Sequence, residues 1–167
     1  AAFAGSSVVD SYGPRTAPAD SLVDMARIAL AQADALGADQ IDVFGHSMGG
    51  RVALEVFRLA PDRVRRLALV STGVHPLAPD ETGKREGLKA IGHRHGFAQL
   101  VDTWLPPMVA EANRVDPAIY APLREMSLSM GQQVFDAQIN ALVTRPEVES
   151  LLGQIACPTL VMTGELD

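Results

Sequence analysis

The chain has 167 residues, of which 47% are hydrophobic and 20% charged, and its formal net charge is -6. These values fit one folded domain and exclude a disordered chain. The negative charge argues against nucleic acid or an anionic membrane as the main partner, because both select basic surfaces. The single cysteine, Cys157, excludes an internal disulfide and favours a reducing, cytoplasmic setting. No apolar run in the sequence is long enough to span a bilayer.

Short apolar runs alternate with helical patterns, and this alternation predicts parallel strands joined by helices. Strands are predicted at residues 6–10, 41–44, 67–70 and 159–162. The helix after the first strand is capped by Asp20 or Ser21, has apolar residues at helical spacing up to Leu36, and ends at Gly37. The strand at 41–44 is so apolar that we expect it to be buried on both faces. A sharp turn at residues 45–50 and a helix at 51–60 follow, before the third strand.

Residues 74–156 contain no strand pattern and separate the last two predicted strands. Helical patterns occur within them at residues 88–105, 117–130 and 132–143. An all-helical insertion within a parallel sheet is typical of a cap or lid. We therefore divide the chain into a core at residues 1–73, a helical lid at 74–156 and a last core strand at 157–167. The predicted fold class is α/β, with a doubly wound, mostly parallel sheet that carries the inserted lid.

The most informative segment reads G-H-S-M-G-G at residues 45–50 and fits the pattern G-x-S-x-G, with a strand before it and a helix after it. A turn this sharp strains the serine backbone and raises Ser47 Oγ above the edge of the sheet. Gly45 and Gly49 avoid the side-chain clashes that the turn would otherwise cause. The helix N-terminus favours developing negative charge, so the backbone N–H of Met48 is a candidate oxyanion-hole donor.

This hexapeptide resembles the nucleophile elbow of the α/β-hydrolase superfamily, in particular its lid-bearing serine esterase and lactonase branch. Further segments are similar to family motifs: Asp10 and Gly13 to a D-x-x-G turn, residues 61–64 to P-[DE]-R-V, and residues 157–167 to P-T-L-x-x-x-G-x-x-D. The last match implies that Asp167 is the acid of a Ser-His-Asp triad. The resemblance also implies that the histidine follows the acid and that a second oxyanion donor precedes the first strand. We therefore expect this sequence to be an inactive piece of a longer protein, truncated at both ends.

The four histidines in the sequence are weaker candidates for the base. A residue beside the nucleophile points away from its hydroxyl, so we expect His46 to pack or hydrogen-bond beside the turn, with a substrate contact as the alternative. His75 follows a strand at the edge where parallel sheets bind ligands, and it is either a substrate contact or an ordinary loop residue. His93 and His95 lack the i, i+4 spacing of a helical metal pair and are expected on the surface.

Large apolar side chains in the predicted lid are candidates for a substrate pocket. Trp104, Met126 and Met130 could line an apolar acyl site, or they could form the underside of helices that pack on the core. The residue pattern leaves these two alternatives open.

The family resemblance implies hydrolysis of an ester or lactone of a small to medium carboxylic acid, with Ser47 attacking the carbonyl and no metal or organic cofactor. A carbon–carbon bond hydrolase and a cofactor-free perhydrolase of the same fold are alternatives. A third alternative is a non-catalytic member that holds a small ligand. The presence of both Ser47 and Asp167 favours an enzyme. The expected partner is thus a small ester or lactone, and the sequence does not indicate an oligomeric state.

Overall fold

The computed structural model describes residues 18–167, so the predicted strand at residues 6–10 and the turn at Asp10 and Gly13 lie outside the described residues. The elements in chain order are α1 (Leu22–Ala35), β1 (Ile41–His46), α2 (Met48–Leu59), β2 (Val64–Val70), α3 (Glu81–His95), α4 (Phe97–Trp104), α5 (Glu111–Arg114), α6 (Pro117–Val143), α7 (Glu149–Leu152) and β3 (Thr159–Met162). The strands form one sheet in the order β1-β2-β3, and both pairs are parallel. The predicted α/β class with a parallel sheet is confirmed.

Helix α1 has the caps that its sequence predicts. The side chain of Ser21 accepts a hydrogen bond from the backbone N–H of Asp24 at 3.1 Å, which satisfies one free donor of the first turn. Gly37, with φ 68°, takes the left-handed conformation that ends a helix. The apolar spacing predicts that Leu36 shares the apolar face of this helix. In the structure Leu36 lies one residue past the end of α1 and is 63% exposed.

One face of the sheet is covered by helices and forms the main hydrophobic core. Helix α2 contacts both β1 and β2, and α1 packs against α2. The buried side chains of this core are Leu22, Met25, Ala26, Val52, Ala53, Leu54, Val56, Phe57, Val64, Leu67, Leu69, Ala141, Val148 and Leu151. The last three come from the end of α6, from the residue before α7 and from α7, so the chain returning from the helical insertion completes this core.

The opposite face of the sheet exposes apolar side chains in the described part of the chain. Phe44 of β1 is 68% exposed, and Leu160 of β3 is 55% exposed. The two residues align through Ala68 of β2, so they form one row across the sheet. The prediction that the strand at 41–44 is buried on both faces is therefore wrong for residues 18–167, because the helices described there cover only one face.

The segment between β2 and β3 is helical, as the sequence predicts, and we call residues 74–156 the helical segment. The predicted single helix at 88–105 is instead two helices, because α3 begins earlier and Gly96, with φ 91°, separates it from α4. Gly131, with φ 80°, interrupts α6 at the boundary predicted between two helices. Small apolar clusters centred on Leu100 and Val101 hold the segment together. No helix within residues 18–167 has both the length and the apolar character needed to cross a membrane.

A buried ion pair joins the place where the chain enters the helical segment to the place where it leaves. Arg145 donates to both carboxylate oxygens of Glu81, at 2.6 and 2.7 Å, and its side chain is only 2% exposed. The same guanidinium donates to the carbonyl oxygen of Pro76 at 3.0 Å. These hydrogen bonds hold the pKa of the Glu81 carboxyl well below its usual value of 4.5. The pair therefore fixes both ends of the segment to each other.

Replacing Glu81 by glutamine should lower the free energy of unfolding by about 3 kcal/mol, because it leaves the buried Arg145 charge without a counter-ion. Chemical denaturation measures this loss. Asp80→Asn is the matched control on the neighbouring residue: the Asp80–Lys84 pair is exposed, so its loss should have little effect. Equal effects of the two substitutions would contradict the structural importance of the buried pair.

The same pair predicts a dependence of stability on pH. A carboxyl whose pKa is lower in the folded state contributes fully above its usual value of 4.5 and loses this contribution as the pH falls below it. The unmodified chain should therefore lose unfolding free energy more steeply below pH 4.5 than Glu81→Gln does. If the unfolding free energies of the two proteins instead fall in parallel as the pH is lowered, the pKa of Glu81 is not lowered in the folded chain.

Candidate active site

Ser47 lies between β1 and α2 in a backbone conformation that few residues adopt. Its φ is 53° and its ψ is -121°, and Ser71 is the other non-glycine residue with positive φ among residues 18–167. The N–H of Ser47 donates to the carbonyl oxygen of Val70 at 2.9 Å, and its own carbonyl accepts from the N–H of Gly50 at 3.0 Å. The strand ladder thus continues to Ser47, where the chain reverses directly into a helix, as the G-x-S-x-G pattern requires.

Close packing around this turn requires glycine at two positions. A Cβ atom on Gly45 would collide with the backbone of Gly49, and one on Gly50 would lie 2.6 Å from the side chain of Thr72. A Cβ on Gly49 would meet nothing within 4 Å. The prediction that Gly49 is needed to avoid a clash is therefore wrong, because that residue faces open space in the first turn of α2. The need for a small residue falls on Gly50 instead.

The loop after β2 is bound to the start of α2 by two hydrogen bonds that the sequence did not indicate. Thr72 Oγ1 donates to the carbonyl oxygen of Ser47 at 2.7 Å. Arg51, a residue that is 5% exposed, donates from Nη2 to the carbonyl oxygen of His75 at 3.0 Å. A charged residue at a position of α2 that the helical pattern places in the core could have indicated a buried hydrogen bond for Arg51. Nothing in the sequence indicates the hydrogen bond of Thr72.

Asp167 lies just beyond β3, at the same edge of the sheet as Ser47. Its carboxylate accepts a hydrogen bond from Thr163 Oγ1 at 3.0 Å and also interacts with the hydroxyl of Ser71. These two hydroxyls, that of Ser71 first, hold the pKa of the Asp167 carboxyl below its usual value. Ser71, Thr163 and Asp167 line one depression at this edge. These neutral donors therefore favour the ionised form of the carboxyl and orient it.

The structure places the histidines as follows. His46 is exposed at the end of β1. His75 is exposed, and its ring lies where a Cβ atom on Gly73 would fall. His93 hydrogen-bonds to Asp136 at 2.7 Å on the surface of the helical segment. No hydrogen bond in the described part of the chain joins a histidine to Ser47 or Asp167, and substrate contacts by His46 and His75 stay predictions.

The large apolar candidates of the helical segment have different surroundings. Trp104 packs edge-on against Phe135, with ring centroids 5.7 Å apart. Met126 is 59% exposed, and Met130 is partly buried. None of the three candidates lines the depression beside Asp167. Their contribution to a substrate pocket therefore stays a prediction.

Among residues 18–167, no group of three or more His, Cys, Asp or Glu side chains is arranged to hold a metal ion. The chemistry that this edge of the sheet offers is thus that of a serine hydroxyl, backbone N–H groups and a carboxylate.

Comparisons with known proteins agree with this geometry. A family model described as alpha/beta hydrolase fold matches residues 11–106. A 2-hydroxy-6-oxononadienedioate/2-hydroxy-6-oxononatrienedioate hydrolase of Pseudomonas putida is 25% identical over 147 residues, which cover 85% of this chain and 52% of that relative. The chain therefore spans about half the length of the curated relatives it matches.

Two solved structures are similar to the chain over most of its length. A malate-bound thermophilic esterase from Thermogutta terrifontis is 30% identical with a TM-score of 0.78, and the match covers 87% of this chain and 54% of the esterase. An enol-lactonase from Burkholderia xenovorans LB400 is 21% identical with a TM-score of 0.75, and the match covers 87% of this chain and 55% of the lactonase. At 21% identity, the similarity to the lactonase concerns the fold alone.

The packing of the turn predicts different outcomes for neighbouring glycines. Gly45→Ala should lower the free energy of unfolding by about 1–3 kcal/mol, because its methyl group overlaps the backbone of Gly49. Gly49→Ala is the matched control, and it should leave stability unchanged or raise it by up to about 1 kcal/mol, since alanine favours helix. Urea unfolding of both variants checks this, and a larger loss for Gly49→Ala would contradict the packing described.

Proposed function

The chain belongs to the alpha/beta hydrolase fold family, and from this we propose that the whole protein is a serine hydrolase with Ser47 as nucleophile and Asp167 as triad acid. Its proposed substrate is an ester or lactone of a small to medium carboxylic acid. The observation that carries the proposal is the backbone of Ser47, with φ 53° and ψ -121° between a strand and a helix.

The strain at Ser47 supports a catalytic role. A non-glycine residue in such a region costs on the order of 1–3 kcal/mol and persists only where its surroundings enforce it. Here the Val70 carbonyl, the Thr72 hydroxyl and the close approach of Gly50 enforce it. The conformation sets the serine at the N-terminus of α2, where backbone N–H groups favour negative charge on a reacting oxygen.

The spacing of the strands supports the pairing of Ser47 with Asp167. The residues follow β1 and β3, with β2 between them, so they lie two strands apart at one edge of the sheet. Two strand spacings amount to roughly 10 Å. An imidazole that hydrogen-bonds through both ring nitrogens joins two oxygens roughly 8 Å apart. The gap thus suits one histidine, which we propose comes from a part of the whole protein beyond these 167 residues.

The proposed reaction proceeds through an acyl-enzyme. Ser47 Oγ attacks the carbonyl carbon of the substrate while the histidine accepts the hydroxyl proton, and Asp167 stabilises the imidazolium. The N–H of Met48 donates to the oxyanion of the tetrahedral intermediate. Collapse of this intermediate breaks the ester bond, and the histidine returns the proton to the leaving alkoxide. Water then attacks the acyl group with the same histidine as base, releasing the acid and restoring the serine.

We propose further that the helical segment acts as a lid and that its apolar side chains, including Trp104, Met126 and Met130, influence the size of substrate accepted. Its insertion between β2 and β3 supports this, since the segment leaves the sheet after β2, at the edge where Ser47 and Asp167 lie, before it returns to the start of β3. Its separate apolar clusters also support it, because they give the segment a core of its own.

A second candidate function is hydrolysis of a carbon–carbon bond. The relative from Pseudomonas putida, named for a 2-hydroxy-6-oxononadienedioate, favours it. Assays of the whole protein with a p-nitrophenyl ester and with a 2-hydroxy-6-oxodienedioate separate the two candidates. A kcat/KM higher by tenfold or more for the ester would support the first candidate, and the reverse ratio would support the second.

Ser47→Ala in the whole protein should lower kcat for a short-chain p-nitrophenyl ester by about 10⁴–10⁶-fold, because the nucleophile is lost. The variant should fold normally, since alanine keeps the Cβ atom. Ser127→Ala is the matched control, because Ser127 lies within α6 and its hydroxyl donates to the carbonyl oxygen of Leu123. An undiminished rate in Ser47→Ala would show that Ser47 is not the nucleophile.

The chain of 167 residues alone should not react promptly with a fluorophosphonate probe, whereas the whole protein should be labelled at Ser47. General-base assistance contributes about 10²–10⁴ in rate, and none of the four histidines in this chain hydrogen-bonds to Ser47 in the structure. Mass spectrometry of the labelled peptide gives the extent of reaction. Stoichiometric labelling of the chain alone would mean that one of its own histidines serves as base.

A further inference from the structure

Ser71 repeats, at the end of β2, the backbone feature that marks Ser47 at the end of β1. Its φ is 47°, and its N–H donates to the carbonyl oxygen of Met162 at 2.8 Å. The N–H of Ser47 donates to the carbonyl of Val70 in the same way. Each serine thus extends a strand by one hydrogen bond to the last residue of the neighbouring strand. Ser71 is the less expected of the two, because no helix begins directly after it.

The left-handed conformation of Ser71 is not one that serine favours. Glycine adopts it without steric cost, and asparagine tolerates it better than serine does. A serine here therefore suggests that its hydroxyl has a use. That hydroxyl interacts with the carboxylate of Asp167, and both residues line the same depression at the sheet edge.

The carboxylate of Asp167 is held by hydroxyls from two neighbouring strand ends. Ser71 follows β2, and Thr163, whose Oγ1 donates to Oδ2 at 3.0 Å, follows β3. No lysine or arginine of the described residues is among the groups that act on the Asp167 carboxyl. This matters because a bound cation would cancel the charge that a triad acid uses to stabilise an imidazolium. Neutral donors fix the carboxylate and leave its charge available.

We propose that Ser71 is a positioning residue for the acid of the proposed triad: with Thr163 it orients the Asp167 carboxylate so that its remaining lone pairs face the histidine. This inference rests on the proposed function. Ser71 acts through Asp167 and does not touch the substrate carbonyl. Its loss leaves the nucleophile and the oxyanion donor in place, so it reduces turnover without weakening substrate binding.

Ser71→Ala in the whole protein tests this, because alanine keeps the Cβ atom and the backbone strain and removes only the hydroxyl. We expect kcat to fall about tenfold with KM unchanged, as for loss of one hydrogen bond to a charged group. We also expect the pKa of the Asp167 carboxyl, followed by carbon-13 NMR, to rise towards its usual value of 3.8. A purely structural role for Ser71 would not move the titration of Asp167.

Two further variants complete the test. Ser71→Asn should recover part of kcat and of the lowered pKa, since asparagine accepts a positive φ and brings an amide donor. Thr144→Ala removes a hydroxyl that donates to the carbonyl oxygen of Asn140 at an exposed helix end, and it should leave both readouts unchanged. If Ser71→Ala does not fold, Ser71→Gly replaces it, because glycine relieves the strain while also lacking the hydroxyl.

The outcomes separate this inference from the proposed function. Wild-type kcat and an unchanged Asp167 titration in the variant lacking the hydroxyl would overturn the role of Ser71. Ser47→Ala is measured in parallel: if it loses activity while the Ser71 variant keeps it, only the positioning role fails. If Ser47→Ala keeps its activity, the proposed function fails, and this inference fails with it.

Discussion

The hydrogen bond from the N–H of Ser47 to the carbonyl of Val70 extends the β1–β2 ladder one residue beyond the strand, and it fixes the serine before the chain can relax into a helix. The reversal into α2 must then occur within one residue, and the φ of 53° is its consequence. The tight turn causes two close contacts: Gly45 lies against the first turn of α2, and Gly50 lies against Thr72. The position of the hydroxyl, the free N–H groups of α2 and the packing of the next loop all depend on that one ladder bond.

Parallel pairing extends this constraint to the rest of the sheet edge. Because β1, β2 and β3 run in the same direction, Ser47, Ser71 and Asp167 follow their C-terminal ends in order across the sheet. The middle residue, Ser71, is polar but uncharged. It lies between Ser47 and Asp167, and its hydroxyl interacts with the Asp167 carboxylate. A cation in the middle would attract the carboxylate and neutralise it, and an apolar residue would leave the Thr163 hydroxyl alone to orient it. Serine meets both requirements at the cost of a strained backbone.

The sequence predicted those features whose causes are local. The caps of α1 at Ser21 and Gly37, the turn around Ser47 and the break at Gly131 each depend on residues adjacent in the chain. Features that depend on distant contacts were not predicted. Gly50 rather than Gly49 needs to be small because of Thr72, which lies on another strand end, and Glu81 meets Arg145 across the whole helical segment. The strain at Ser71 has no sequence signal, because serine is common in turns of every kind.

The loop at residues 71–80 connects the chemistry of the sheet edge to the helical segment. At its start, Thr72 binds the carbonyl of Ser47, and Arg51 binds the loop again at the carbonyl of His75. Arg145 then binds it at the carbonyl of Pro76. The bonds at Thr72 and His75 attach this loop to the start of α2, whereas the bond at Pro76 attaches it to the end of the helical segment. Displacement of the helices from the loop would have to break the Glu81–Arg145 pair or bend the chain beyond it. Gly96 and Gly131 are the glycines with positive φ beyond that point, and both interrupt helices. The bonds at Thr72 and His75 therefore hold the loop beside the nucleophile without any contribution from the helices beyond Glu81.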